Sequence, residues 1–60
     1  MLALDVQEQA RLLMAARGPK AIADAAQKAV QFEQEGRESD ARAWRRIEAA
    51  LIQLAGPRAK

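Results

Sequence analysis

The sequence predicts an all-α fold, a small three-helix domain with a short N-terminal helix followed by an antiparallel αα-hairpin. Gly18, Gly36 and Gly56 each follow a stretch whose apolar residues recur at helical spacing. Glycine just past a helix commonly adopts the left-handed backbone conformation that closes the last turn. Pro19 and Pro57 directly follow two of these glycines, where a new helix begins or an old one stops. No stretch alternates apolar and polar residues as a strand would.

The first predicted helix spans about residues 5–17. Asp5 is placed to accept hydrogen bonds from the free amides of the first turn, and Glu8 three residues later completes a capping-box pattern. The central apolar stripe consists of Val6, Ala10 and Leu13, widened on both sides by Leu12 and Met14. A stripe this wide indicates contact with two neighbours, one within the chain and one on another molecule.

The second predicted helix spans about residues 19–35 and begins at Pro19. Its apolar stripe consists of Ile22, Ala25, Ala26, Ala29 and Phe32. Alanine in the middle of the stripe allows a second helix to approach closely. Glu33 projects near the centre of this stripe, so its carboxylate either reaches solvent at the helix end or is buried and pairs with an arginine at an interface.

The third predicted helix spans about residues 39–55, with Ser39 as its N-cap. Its apolar stripe, the most regular in the chain, consists of Trp44, Ile47, Leu51 and Leu54. This helix and the second form the hairpin, in which Phe32 packs toward Trp44 or its neighbours. The helical domain spans residues 1–56, and residues 57–60 form a short basic tail that we expect to fray.

Composition argues against catalysis. The chain has no His, Cys, Thr, Tyr or Asn, and Ser39 is its only hydroxyl side chain. Nucleophilic catalysis needs an activated Ser, Cys, Thr or Lys beside a base, and transition-metal sites need imidazole or thiolate ligands. We therefore expect a non-enzymatic protein with no catalytic residues, no cofactor, no metal and no small-molecule substrate.

The supply of large apolar side chains predicts association with another protein. A chain of 60 residues has a marginal core of its own, and 15 of its 30 hydrophobic residues are alanine. Alanine favours helices but buries little surface. We expect a homodimer, or binding to another protein, in an interaction or regulatory role. The expected partner-binding residues are Leu12, Leu13, Met14, Trp44, Leu51 and Ile52.

The alternative function is nucleic-acid binding by a helix-turn-helix-like arrangement, with Arg42, Arg45 and Arg46 as the contacts. Basic residues around an aromatic side chain can bind phosphate and stack a base. Trp44, however, lies on the apolar stripe, and the net charge of +2 is small for a nucleic-acid binder. A further possibility is that the acidic turn of one subunit docks on the arginine face of its twofold mate.

Charge and hydropathy bear on location. The longest strictly apolar run, residues 12–16, is far shorter than a bilayer span. Acidic residues near the N-terminus do not resemble an export signal. We expect a cytoplasmic protein that does not enter the membrane. Arginine outnumbers lysine seven to three alongside abundant alanine, a bias typical of high-GC bacterial genomes.

About half of the chain resembles the helical hairpins of tetratricopeptide and microtubule-interacting-and-transport domains. The residues that carry this resemblance are Lys20-Ala21-Ile22, the run Lys28 to Gly36, and Ala41, Trp44, Ile47 and Leu51. The resemblance implies a shared style of helix packing and a protein-binding role. A single hairpin is too short to form a tetratricopeptide array.

Overall fold

The computed structural model describes residues 5–56, and these form three α-helices joined by two short turns. The helices are α1 (Val6–Arg17), α2 (Lys20–Gln34) and α3 (Glu38–Leu54). The predicted all-α, three-helix fold is therefore confirmed, and every predicted helix end lies within one residue of the observed end. The predicted basic tail, residues 57–60, lies outside the described residues.

Helix α1 begins at the cap that the sequence predicts. The carboxylate of Asp5 accepts hydrogen bonds from the backbone amides of Gln7 at 3.1 Å and Glu8 at 3.3 Å. At the other end, the amide of Gly18 donates to the carbonyl of Met14 at 2.8 Å. Local hydrogen bonding thus sets both ends of α1.

The predicted cap of α3 is wrong. Helix α3 begins at Glu38 with Arg37 as the N-cap residue, and no side chain caps it. The amide of Arg37 donates to the carbonyl of Phe32 at 2.9 Å to close α2, while the Arg37 carbonyl accepts from Ala41 at 3.0 Å to open α3. Because one residue serves both helices, Ser39 falls inside the first turn instead of capping it.

Helix α3 is the central element, since α2 packs closely against it and α1 packs more on α3 than on α2. The core cluster consists of Ala10, Ala21, Ala25, Ile47, Ala50 and Leu51. Val6, Leu13, Met14, Ile22 and Trp44 pack against this cluster and are partly buried. On α2 the buried residues are Ala21, Ala25 and Ala29, so the buried stripe is rotated away from Ala26, which the sequence pattern placed within it.

No helix among the described residues has the length and apolar character needed to cross a bilayer.

Candidate interaction surface

The six apolar residues predicted to bind a partner differ widely in exposure. Leu51 has no exposed area and lies wholly in the core. Leu13, Met14 and Trp44 pack against the core and are half-buried. Leu12 and Ile52 remain open to solvent, with 57% and 46% of their surfaces exposed. Of the predicted set, only these two are exposed large apolar residues.

Two exposed apolar residues were not among the predicted partner-binding residues. Val30 of α2 is 40% exposed, and Leu54 at the end of α3 is 42% exposed. Val30 borders a surface groove of about 280 Å³ whose lining residues are Ala26, Gln27, Val30, Gln31 and Gln34. A sequence signal could have indicated this groove. Ala23, Ala26 and Val30 recur at i, i+3, i+7 and form a second apolar face of α2, outside the buried stripe.

A second groove, of about 340 Å³, lies where the three helices meet. Its lining residues are Leu13 and Arg17 of α1, Asp24, Gln27, Lys28 and Gln31 of α2, and Trp44 of α3. Arg17 and Asp24 form an ion pair across the α1–α2 corner. Trp44 contributes to this groove and also packs against the core, so its ring is not a free platform for a stacked base.

Carboxylates lie beside two of the three arginines that were considered for nucleic-acid binding. Arg45 donates to Glu33 at 3.3 Å and to Glu48 at 3.2 Å. The side-chain hydrogen bond to Glu33, followed by the one to Glu48, raises the pKa of Arg45 above its ordinary value. Arg42 shares a small cavity with Glu33 and Glu38. Two carboxylates thus offset the charge of Arg45 and reduce its attraction for phosphate, while Arg42 and Arg46 are exposed.

Glu33 pairs with an arginine, but the pair is exposed and lies within one chain, instead of being buried at an interface as the alternative predicted. Its carboxylate joins α2 to α3 through Arg45, twelve positions away. With about half of each side chain in solvent, the pair contributes little to stability. The ion pair does show that the side of α2 that carries Glu33 lies beside the side of α3 that carries Arg45.

The α2–α3 turn holds another arginine in a defined position. The Arg37 guanidinium lies 4.7 Å from the centre of the Phe32 ring. It also pairs with Asp40 at 2.8 Å and with Glu35 at 3.8 Å. Phe32 therefore packs beneath Arg37 at the turn, and this acidic turn already has an arginine partner within its own chain.

No group of three or more residues of metal-binding type is assembled within residues 5–56. Comparison of the chain with protein families, with curated proteins and with solved structures finds no significant match.

Proposed function

We propose that this chain is a non-enzymatic protein–protein interaction module that associates with a second copy of itself. The observation that supports this proposal is the composition of the core. Among the described residues, eight hydrophobic residues are buried and six of them are alanines. Of these eight, only Ile47 and Leu51 have large side chains, and both are fully buried.

A core of this kind yields little hydrophobic free energy. A fully buried Leu or Ile contributes about 1.5–3 kcal/mol, whereas each alanine adds little more than one methyl group, about 0.8 kcal/mol. Ordering the backbone opposes folding by about 1–2 kcal/mol per residue. Burial of further apolar surface against a partner offsets part of this deficit.

The surface supplies what such a partner would cover. Within residues 5–56, four large apolar side chains are exposed by 40% or more, namely Leu12, Val30, Ile52 and Leu54. Single exposed apolar residues are common in soluble proteins. In this chain the exposed apolar residues occur together with a core made mainly of alanine. That combination favours a dimer over a stable monomer.

The proposal predicts that mass and thermal stability both depend on protein concentration. Sedimentation equilibrium over a wide concentration range should show a monomer–dimer transition. The midpoint of thermal unfolding, followed by circular dichroism, should rise with protein concentration because only folded chains associate into the dimer. A monomeric mass throughout, with a constant midpoint, would contradict self-association.

A further inference from the structure

We infer that the second copy docks on the outward side of α2, with the two α2 helices antiparallel about a twofold axis. The surface, here called the α2 outer face, consists of Ala23, Ala26, Gln27, Val30, Gln31 and Gln34. This inference rests on the proposed self-association and adds the surface and the orientation.

The α2 outer face has no ionisable side chain, although 30% of the residues in the chain are charged. Charged side chains border this face: Lys20 lies one turn before Ala23, and Glu33 lies one turn after Val30. Burying charge in an interface is costly unless the charge is paired. A second chain can therefore cover the α2 outer face while these charged groups stay at its margin.

The shape of this face suits a second helix. Ala23 and Ala26 carry the smallest side chains on it, and Val30 stands beside a groove of about 280 Å³. If the twofold axis passes between Gln27 and Val30, the Val30 side chain of each copy lies over Ala26 and Gln27 of the other copy. Helices pack in this way when a projecting side chain of one enters the gap left by small side chains of the other.

The glutamines make the face compatible with itself. Each glutamine amide both donates and accepts hydrogen bonds. Around a twofold axis, a residue type meets its own kind or a near neighbour. Gln27 and Gln31 of one copy can therefore bond to amides of the second copy, whereas a lysine or glutamate at these positions would meet like charge.

Charges at the two ends of α2 select the antiparallel orientation. Lys20 is the first residue of α2, and Glu35 directly follows its last residue. Both are exposed. The Glu35 carboxylate lies beside the face, 3.5 Å from the amide nitrogen of Gln31, and its long 3.8 Å contact with Arg37 leaves it exposed. Antiparallel pairing brings Lys20 of each copy near Glu35 of the other, and it also aligns the helix dipoles favourably. Parallel pairing would bring like charges together.

A charge exchange tests the orientation. Lys20→Glu and Glu35→Lys should each raise the dissociation constant of the dimer by about tenfold at low salt. Each change replaces the two attractions between position 20 of one copy and position 35 of the other by two repulsions. The double variant should recover the wild-type dissociation constant. Each single change adds acid at a helix N-terminus or base at a C-terminus, so monomer helicity should hold or increase. Unchanged dissociation constants in the single variants, or no recovery in the double variant, would overturn the inference.

Val30→Glu tests the surface, with Ile52→Glu as the matched control at similar exposure. Sedimentation equilibrium should show that Val30→Glu weakens the dimer by about a hundredfold, since it buries an unpaired carboxylate, while Ile52→Glu leaves the dimer intact. If wild type dimerises but only Ile52→Glu disrupts it, the α2 face is wrong and self-association stands. If wild type is monomeric at every concentration, both proposals fail.

Discussion

Burial in this fold is decided residue by residue, as two leucines one turn apart on α3 show. Leu51 has no exposed surface, whereas Leu54 is 42% exposed. Both belong to the same apolar stripe of the sequence. Leu51 lies where the other helices cover α3, and Leu54 is the last residue of that helix. The two identical side chains therefore contribute unequally to the free energy of unfolding.

Leu51→Ala should reduce the free energy of unfolding by about 2–5 kcal/mol, because it leaves a cavity in a core with few large side chains. The whole domain is expected to hold about 3–9 kcal/mol, from roughly 0.05–0.15 kcal/mol per residue, so this loss would be a large share of the total. Leu54→Ala is the matched control and should cost less than about 1 kcal/mol. Urea titration followed by circular dichroism measures both. Equal losses would contradict the assigned burial.

At the scale of the elements, the two turns end their helices in different ways. Gly36 has a φ of +77°, and its amide bonds to the Glu33 carbonyl while the next amide, that of Arg37, bonds to Phe32. This is the Schellman arrangement, and the Arg37–Phe32 contact takes the place of its usual hydrophobic contact. Gly18 has a φ of +62° and a ψ of −149°, which is outside the left-handed helical region and nearly exclusive to glycine.

Alanine at these two turns should therefore have unequal effects. Gly36→Ala should lower the free energy of unfolding by about 1–2 kcal/mol, and Gly36→Asn by less, because asparagine tolerates the left-handed region. Gly18→Ala should cost more than Gly36→Ala. An added Cβ meets no atom within 4 Å at either position, so the cost is backbone strain alone. Chemical denaturation of the three variants provides the comparison, and equal costs for the two alanines would contradict it.

At the scale of the whole molecule, close helix packing depends on methyl groups in the interior. Ala21 and Ala25 of α2, Ala10 of α1 and Ala50 of α3 belong to the same cluster. Small side chains at such crossings allow helix axes to come near each other. The same small side chains leave the core with little buried apolar area. Alanine in the interior therefore underlies both the close helix packing and the proposed self-association.

Enlarging one of these methyl groups should therefore disturb the fold. Ala25→Leu is expected to lower the free energy of unfolding by about 1–3 kcal/mol, since the added atoms have no space between α2 and the core. Ala49→Leu makes the same change at an exposed position of α3 and should be near neutral. Thermal and urea unfolding measure both. If Ala25→Leu were neutral or stabilising, the helices would be less closely packed than the structure shows.

The sequence by itself determined the number of helices, their ends to within one residue and the Asp5 cap, because glycines, prolines and caps act over a few residues. Only the tertiary structure decided which face of α2 is buried, that Leu51 is enclosed, and that Glu33 reaches Arg45. The physical reason is that alanine gives a helix little contrast between its faces. The buried face is then chosen by how closely the neighbouring helices approach, and that depends on contacts between residues far apart in the chain.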